Sequence, residues 1–307
     1  MKYLVLGAGG TGGALGAHLA RGGCDVSLIA RGAQLRALRE RGLEVAKPGE
    51  RFTVRPEAWD TETYSGCPDA VFLCVKGYSL AETVPFLRRI CRRDTVVIPI
   101  LNLPETGRQL QALLPDTPVL DGCIYIASEL SAPGQILMRG SILRVFFGPR
   151  SPEDMQPELE EIRADLQRSG VEGVLSRDIR RDCLRKFSYV SPQGACGLYY
   201  GVSAGAMQKP GEARDCFAAL AAEIGLLASA MGADLGGDLV SRNLHILDGV
   251  EPEMTTSLQR DVLRGGPSEL AGLVLDVPGL GRRHGVTLPT YEKIAAALRA
   301  KERSIHD

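Results

Sequence analysis

Three glycines near the amino terminus have the spacing of a phosphate-binding turn. The segment GAGGTG follows the apolar run KYLVL and precedes apolar residues at helical spacing, which predicts a strand, a glycine turn and a helix. In such a turn the glycines permit the bend, the approach of a pyrophosphate and the packing of the helix, whose N-terminus faces the phosphates. We therefore expect a dinucleotide to contact Gly7, Gly9, Gly10, Thr11 and Gly12. A purely structural glycine turn is the alternative.

The identity of the dinucleotide depends on the residue that ends the second strand of this unit. We predict this strand over residues 25–30, and Arg31 follows it directly. An NAD site places an acid here to bind the ribose 2′-hydroxyl, whereas a guanidinium pairs with a 2′-phosphate. Arg31 therefore indicates NADPH/NADP+ as the cofactor. An arginine that only opens the next helix in solvent is the alternative.

Two polar residues follow other predicted strands. Lys76 ends the apolar run AVFLCV, and Asn102 follows TVVIPIL. Because ligands of an open parallel sheet bind outside the carboxyl ends of its strands, we expect Lys76 to meet a cofactor phosphate or the substrate. The amide of Asn102 could pair with a nicotinamide carboxamide or a substrate carbonyl. A solvated lysine and an asparagine that only forms the turn before Pro104 are the competing interpretations.

A lysine in the second half of the chain could complete a reduction. Hydride transfer to a carbonyl builds negative charge on oxygen, so the reaction needs a positioned cation or acid. We predict that Lys186, on the first helix after the strands, is this general acid, with a pKa lowered by partial desolvation. A lysine on a solvated helix face is the alternative, and Arg181 and Arg185 are nearby competitors.

A hydroxyl and a carboxylate further along the chain could bind a substrate. Ser257 lies in TTSLQ and Glu269 lies in PSEL, and they suit a substrate carboxylate and a substrate hydroxyl respectively. Both also suit helix ends, Ser257 as a first-turn hydroxyl and Glu269 as a first-turn acid after Ser268. Their spacing alone does not choose between these interpretations.

The elements that must hold these residues divide the chain into two domains. We predict an α/β plus all-α fold, with a Rossmann domain of mostly parallel sheet over residues 1–177 and a helical domain over residues 178–307. Extended segments between 119 and 148 are expected to complete the sheet without more helices. Pro192 is expected to break the first helix of the second domain, and Pro278 is expected to kink or break a later one. A small-molecule site is expected in a cleft between the domains.

Composition excludes several classes of protein. The 307 residues are 44% hydrophobic and 24% charged, with a net charge of −1, so no long-range field attracts nucleic acid or a membrane. No apolar run approaches the ~20 residues of a membrane-spanning helix, and the first residues lack the layout of a signal peptide. We expect a cytoplasmic protein with a small-molecule partner, and a homodimer is left open. The eight scattered cysteines are expected to be reduced thiols, with no metal site.

In combination, these motifs resemble the ketopantoate reductase family. GAGGTG, Arg31, VFLCVK, Asn102 and RKF around Lys186 come in the order and spacing of that family, followed by TTSLQRDV, SEL and RRHGVTLP. The resemblance covers the whole chain. It implies that a Rossmann domain binds NADPH and that a helical domain similar to the C-terminal domain of 6-phosphogluconate dehydrogenase closes over it. It also implies the reduction of 2-dehydropantoate to (R)-pantoate in pantothenate biosynthesis.

The same resemblance implies a role for each candidate residue. Lys186 would be the general acid, Glu269 would hold the substrate hydroxyl, and Ser257 would help to bind the substrate carboxylate. Asn102 would lie between the nicotinamide and the substrate. The cofactor contacts outside the glycine turn would be Arg31 and Lys76.

The chain departs from the family pattern near the predicted substrate. The family carries asparagines one and two helical turns beyond the catalytic lysine, where this chain has Val190 and Gly194. A substrate hydroxyl that faced Val190 would lose its amide partner, at a typical cost of ~1–3 kcal/mol. Ser191 or Gln193 could compensate as substrate-binding residues.

Two more departures are Leu103, where the family has a glycine after the asparagine, and Pro278-Gly279, where the family has a continuous helix. The leading hypothesis is an NADPH-dependent 2-oxo acid reductase that acts on 2-dehydropantoate. One alternative is the same chemistry on a different 2-oxo acid, bulkier or less hydroxylated. The other is a non-catalytic NADPH-sensing protein, and the retention of Lys186 and Glu269 argues against it.

Overall fold

The computed structural model describes the backbone of residues 1–306 and the side chains of residues 1–301. The chain folds into two compact units. The first unit contains residues 1–101 and 105–179, and the second contains residues 102–104 and the chain from residue 180 onward. The predicted division of roles between two domains stays a prediction.

The first unit alternates strands and helices at first and then becomes mostly strand. Its elements in chain order are β1 (Lys2–Leu6), α1 (Gly10–Arg21), β2 (Asp25–Ile29), α2 (Gly32–Arg41), β3 (Leu43–Lys47), β4 (Glu50–Val54), β5 (Glu57–Trp59), β6 (Ala70–Leu73), α3 (Leu80–Ile90), β7 (Val96–Pro99), α4 (Thr106–Leu113), β8 (Asp121–Ala132), β9 (Gln135–Gly148), α5 (Pro157–Arg168) and β10 (Glu172–Leu175).

Five parallel strands form the first sheet, in the order β5-β2-β1-β6-β7. The strands β6 and β7 are buried along their whole length, as a sheet covered on both faces requires. The order of the strands reverses beside β1, and ligands of such sheets bind at the carboxyl ends of the strands next to this reversal. This arrangement confirms the predicted Rossmann-type fold.

A second sheet in the same unit has the order β10-β9-β3-β4, with β8 paired to β9. The expectation that residues 119–148 complete the first sheet is therefore wrong. The physical reason is the length of β9, whose first residues pair with β3 and whose last residues pair with β10, while β8 runs along its other edge. The short helix α4 was also missing from the prediction.

The second unit is helical, as predicted. Its elements are α6 (Ile179–Tyr200), α7 (Ala204–Gln208), α8 (Glu212–Ala230), α9 (Leu239–Asp248), α10 (Ser257–Leu263), a π-helical turn (Ala271–Leu275), α11 (Val277–Arg283) and α12 (Pro289–His306). Buried apolar side chains of these helices form one core cluster. The interruption predicted near Pro278 is confirmed, because the π-helical turn ends and α11 begins just before it.

The break predicted at Pro192 is wrong, because α6 runs without interruption through this proline. A proline inside a helix removes the N–H that would bond to the carbonyl four residues earlier, here that of Ser188. The side chain of Asn243 on α9 supplies the missing donor, since its Nδ2 lies 2.8 Å from the Ser188 carbonyl oxygen. A tertiary hydrogen bond therefore lets the helix continue.

Replacing Asn243 by alanine is expected to lower the free energy of unfolding by ~1–3 kcal/mol, because the buried Ser188 carbonyl then has no partner. Urea denaturation monitored by circular dichroism measures the loss. Ser241→Ala on the exposed side of α9 is the matched control and should change the value by less than ~0.5 kcal/mol. Equal effects of the two substitutions would contradict this explanation.

Candidate functional site

The glycine turn after β1 has the backbone shape that its sequence predicts. Gly7 has a φ of +105°, a conformation that favours glycine. The N–H groups of Gly7 and Ala8 both donate to the carbonyl oxygen of Ile29, at 3.2 and 3.0 Å. A Cβ atom on Gly7 would lie 3.0 Å from the carbonyl oxygen of Cys74. The turn is thus fixed between the ends of β2 and β6.

The other glycines of the turn differ in their surroundings. A Cβ atom on Gly12 would lie 2.2 Å from the carbonyl oxygen of Gly7, and one on Gly10 would lie 2.8 Å from a Cα atom of β8. A Cβ atom on Gly9 would have no atom within 4 Å. Thr11 is half-buried in the first turn of α1, which no side chain caps. Packing therefore requires Gly10 and Gly12, while the space beside Gly9 and the helix N-terminus fit a phosphate group.

Arg31 and Lys76 lie beyond the carboxyl ends of β2 and β6. The side chain of Arg31 is exposed and makes no ion pair with any described residue. Lys76 is half-buried and begins a short 3-10 turn, in which the N–H of Ser79 donates to its carbonyl oxygen at 2.9 Å. Because Gly7 packs against Cys74, the Lys76 loop adjoins the glycine turn. The glycine turn, Arg31 and Lys76 therefore lie at one edge of the first sheet, whereas Asn102, the other predicted cofactor contact, belongs to the second unit.

Gln34 holds the glycine turn to the second sheet and was not predicted. Its Nε2 donates to the carbonyl oxygen of Ala8 at 2.9 Å, and its Oε1 accepts from the N–H of Gly134 at 2.7 Å. Gly134 lies in the hairpin between β8 and β9 with a φ of +81°. No local pattern indicates this role, because both partners of Gln34 are distant in the chain.

Lys186 is a buried ammonium group in the second unit. It lies on α6 with 7% of its surface exposed, and its Nζ donates to Oδ1 of Asn102 at 2.6 Å. The Asn102 amide keeps its Nδ2 as a donor. This burial differs from that of a lysine on a solvated helix face, and Asn102 does more than form a turn.

Glu269 is a buried carboxyl group two residues before the start of the π-helical turn. Glu269 is only 6% exposed. Its backbone carbonyl oxygen accepts a hydrogen bond from the N–H of Leu273 at 2.9 Å. An acid that only complements a helix dipole works at the surface, and burial of a carboxylate is costly unless polar partners compensate. Burial therefore favours a specific role for Glu269 over a helix-end role.

Ser257 is the first residue of α10 but does not cap it. The cap is Thr256, whose Oγ1 accepts from the N–H of Gln259 at 3.1 Å, while Oε1 of Gln259 accepts from the N–H of Thr256 at 3.0 Å. The half-buried hydroxyl of Ser257 has no hydrogen-bond partner among the described residues. It is therefore available to a ligand.

The two residues predicted to compensate for the missing asparagines have different surroundings. Ser191 is fully buried, and its Oγ lies 2.6 Å from both the carbonyl oxygen of Leu273 and the hydroxyl of Tyr291. These bonds occupy the hydroxyl, so the structure does not support substrate binding by Ser191. Gln193 is 5% exposed, and its Nε2 is buried without a partner in the described chain. The hydroxyl of Tyr189 is likewise unpartnered, and burial raises the pKa of Tyr189 to about 12.

The two positions of the family asparagines are apolar here. Val190 is half-buried one turn after Lys186 on α6. A Cβ atom on Gly194 would lie 3.0 Å from Cδ2 of Leu258, which is only 2% exposed. An asparagine at position 194 would therefore require Leu258 to move. In place of two amides, α6 has the isopropyl group of Val190 and the bare backbone of Gly194, over which Leu258 of α10 packs.

A separate cavity of about 720 Å³ lies in the first unit. None of the predicted site residues lines it. Its charged lining residues are Arg93, Arg108, Arg150, Asp116 and Asp154. Because charges of both signs line the cavity, they do not indicate a class of ligand.

No helix in the described part of the chain is long and apolar enough to cross a membrane. Among the described residues no group of three or more His, Cys, Asp or Glu side chains could hold a metal ion.

The first unit is a Rossmann-type parallel-sheet unit, and the second is a helical unit with a buried lysine. The model of the family described as "Ketopantoate reductase PanE/ApbA" matches residues 3–152, and the model described as "Ketopantoate reductase PanE/ApbA C terminal" matches residues 178–302. The chain belongs to the ketopantoate reductase family, whose members are oxidoreductases acting on a CH–OH group.

Known relatives resemble the chain along its whole length. It is 27% identical over 308 residues to the uncharacterized oxidoreductase YkpB of Bacillus subtilis, covering 98% of this chain and 99% of the relative. It is 28% identical over 325 residues to the 2-dehydropantoate 2-reductase of Mesorhizobium japonicum, covering 97% of each. The ternary structure of a D-mandelate dehydrogenase with NADH and anilino(oxo)acetate superposes with a TM-score of 0.90 at 19% identity, covering 100% of both chains. At this identity the likeness shows the fold.

Proposed function

We propose that this protein uses NADPH to reduce a 2-oxo acid to a 2-hydroxy acid, with 2-dehydropantoate as the first substrate to test. Its product would be (R)-pantoate, for pantothenate biosynthesis. The observation that carries the proposal is the buried ammonium of Lys186, 2.6 Å from Oδ1 of Asn102. An ammonium group held in this way suits proton donation to a reacting oxygen. Membership of the ketopantoate reductase family supports the same reaction.

The first unit fits the proposed cofactor. The open space beside Gly9 and the N-terminus of α1 suit a pyrophosphate, and the exposed guanidinium of Arg31 suits a 2′-phosphate. Lys76 adds a second cation at the same edge of the sheet. When bound, NADPH would supply a hydride to the carbonyl carbon of the 2-oxo acid.

The residues of the second unit then have separate tasks. Lys186 transfers a proton from Nζ to the carbonyl oxygen as the C=O π electrons move onto that oxygen, and water reprotonates the resulting amine. Asn102 holds Nζ through Oδ1 and keeps Nδ2 for the substrate carbonyl or the nicotinamide carboxamide. Glu269 accepts from the substrate hydroxyl, and Ser257 donates to the substrate carboxylate. The unpartnered Nε2 of Gln193 donates to a polar group of the substrate.

Steady-state oxidation of NADPH in the presence of 2-dehydropantoate tests the proposed reaction. Turnover with release of pantoate is the expected result. Tight binding of NADPH without oxidation by any 2-oxo acid would overturn the proposal in favour of a non-catalytic NADPH-sensing protein.

Arg31→Ala is expected to raise KM for NADPH about tenfold or more and to leave KM for NADH unchanged, because only NADPH carries the 2′-phosphate that the guanidinium pairs with. Initial rates with each cofactor measure the change. Arg41→Ala, at the other end of α2, is the matched control and should alter neither value. Equal losses for both cofactors in Arg31→Ala would show that Arg31 does not select between them.

A second candidate substrate is a 2-oxo acid with an apolar substituent. The observation that favours it is the apolar surface formed by Val190 and by Leu258 over Gly194. A substrate hydroxyl beside these groups would lose a hydrogen bond, whereas an alkyl or aryl group would gain contact. The same fold serves a D-mandelate dehydrogenase, whose substrate carries a phenyl group.

Val190→Asn is expected to shift the ratio of kcat/KM values about tenfold toward 2-dehydropantoate and away from its deoxy analogue, because an amide replaces the isopropyl group beside the substrate. Initial rates with the two acids measure the ratio. Val190→Leu keeps the surface apolar and should leave the ratio nearly unchanged. A ratio that is the same in all three proteins would place Val190 outside the substrate pocket.

A further inference from the structure

The π-helical turn Ala271–Leu275 begins two residues after Glu269. One of its backbone carbonyls, that of Leu273, lacks the donor that a π-helix normally supplies. In a π-helix, the N–H of a residue bonds to the carbonyl five positions earlier, as Asp276 does with Ala271 at 2.9 Å. For the carbonyl of Leu273 that position is Pro278, which has no N–H. A buried carbonyl without a partner is costly, so Leu273 needs a donor from elsewhere.

Ser191 of α6 supplies this donor. Its Oγ donates to the Leu273 carbonyl oxygen at 2.6 Å, and the hydroxyl of Tyr291 lies 2.6 Å from the same Oγ. Because the single hydroxyl proton of Ser191 goes to a carbonyl, Tyr291 must donate to Ser191. Both residues are fully buried, and burial raises the pKa of Tyr291, so the tyrosine keeps the proton that this chain of bonds requires. The chain of bonds therefore runs from Tyr291 through Ser191 to Leu273.

The same turn is also held from the side of Asn102. A Cβ atom on Gly272 would lie 2.7 Å from Cδ2 of Leu103, so the leucine packs directly on the bare backbone of the turn. Leu103 follows Asn102, the residue that accepts from Lys186. The π-helical turn thus touches both segments that set the position of the Lys186 ammonium.

We propose that Ser191 and Leu103 are positioning residues that hold Glu269 in register with Lys186. Ser191 acts through the Leu273 carbonyl, and Leu103 acts through Gly272. This inference rests on the catalytic role of Lys186 and the substrate-binding role of Glu269 proposed above. Pro278 leaves the Leu273 carbonyl without a backbone donor, which Ser191 replaces, and Leu103 fills the space over Gly272.

The first test compares Ser191→Ala with Ser188→Ala. Both serines are fully buried on α6. The Oγ of Ser188 donates to the Arg185 carbonyl at 2.7 Å and accepts from Nδ2 of Asn243 at 3.1 Å, and neither bond involves the π-helical turn. We expect Ser191→Ala to lower kcat for the 2-oxo acid about tenfold or more, because small misplacements of reacting groups are costly, with no change in KM for NADPH. Ser188→Ala should stay within about twofold of the wild type.

Tyr291→Phe refines this test, because it removes the outer hydroxyl and keeps the Ser191 bond to Leu273. Its kcat should fall less than that of Ser191→Ala. Equal kcat values for Ser191→Ala and Ser188→Ala would overturn the role of Ser191. The role would also be overturned if Ser191→Ala lowered kcat and raised KM for NADPH by the same factor, since that would indicate general damage to the fold.

The second test is a double-mutant cycle on Leu103 and Gly272. Gly272→Ala is expected to lower kcat about tenfold or more, because the new Cβ displaces Leu103 and with it the loop of Asn102. Leu103→Ala combined with Gly272→Ala should recover most of this loss, because the smaller side chain makes room. Losses that simply add in the double variant would show that the two residues act independently and would overturn the role of Leu103.

A readout that needs no turnover separates this inference from the proposed function. Amide hydrogen exchange over residues 269–275 should be faster in Ser191→Ala and unchanged in Ser188→Ala, whatever the substrate proves to be. If the wild-type protein reduces no 2-oxo acid, the proposed function fails, and faster exchange still supports the link between Ser191 and the turn. If the wild type is active and exchange over the turn does not change, the positioning inference fails and the proposed function stands.

Discussion

Lys186→Ala is expected to lower kcat for the 2-oxo acid about 100-fold or more, because general acid catalysis contributes roughly two to four orders of magnitude. The ammonium of Lys186 is buried and held by Asn102 at 2.6 Å, so no solvent-exposed group can replace it at the same place. Binding of NADPH should change little, since the predicted phosphate contacts of the cofactor belong to the first unit. The loss is therefore expected in kcat and not in the affinity for NADPH.

Stopped-flow measurement of NADPH oxidation at saturating substrate separates the chemical step from binding. Lys209→Ala, which removes an exposed lysine of the same unit, is the matched control and should retain full activity. Asn102→Ala should give an intermediate loss, since it keeps the ammonium and removes the acceptor that orients it. Unchanged turnover in Lys186→Ala would refute the assignment of this lysine as the proton donor.

The glycine turn allows a second prediction with a large effect. Gly12→Ala is expected to lower the free energy of unfolding by about 3 kcal/mol or more, because its Cβ would lie 2.2 Å from a backbone oxygen that cannot turn away. Gly9→Ala should leave stability within ~0.5 kcal/mol, because its backbone is extended and no atom lies within 4 Å of the new Cβ. The same Gly9→Ala change should weaken NADPH binding about tenfold or more, since the methyl group enters the space proposed for the pyrophosphate.

Chemical denaturation and titration of NADPH fluorescence measure the two effects separately in each variant. The pair distinguishes a packing glycine from a ligand-binding glycine within one turn. If Gly9→Ala binds NADPH as the wild type does, the pyrophosphate lies elsewhere. If Gly12→Ala is as stable as the wild type, the close approach of α1 to β1 does not require glycine.

Local patterns in the sequence were sufficient for much of the first unit. The alternation of apolar runs, glycine turn and helix predicted β1 and α1, and the unbroken apolar run at 70–75 predicted a strand buried on both faces. These features depend on residues that are neighbours in the chain. The second sheet was not predicted, because β9 pairs with three strands that lie far from one another in sequence.

The same limit applies to the candidate site. Sequence order identified Lys186 and Asn102 separately, but the bond between them spans 84 positions and only the fold brings them together. Pro192 looked like a helix end because its missing donor comes from Asn243 on another helix. Ser191 looked like a substrate contact, and only the structure shows that its hydroxyl serves the backbone of the π-helical turn. Each of these features depends on a partner side chain or carbonyl that is remote in sequence.

Transfer of an isotope label shows whether NADPH reduces the carbonyl of a 2-oxo acid in this protein. NADPH dideuterated at the reactive carbon of the nicotinamide ring is incubated with the protein and 2-dehydropantoate, and the product is analysed by mass spectrometry and NMR. We predict pantoate with one deuterium on the carbon that carried the carbonyl, and about one-hundredth as much or less with Lys186→Ala over the same time. Recovery of unreduced 2-oxo acid beside bound, unoxidised NADPH, for this substrate and for its apolar analogues, would contradict the proposed reaction.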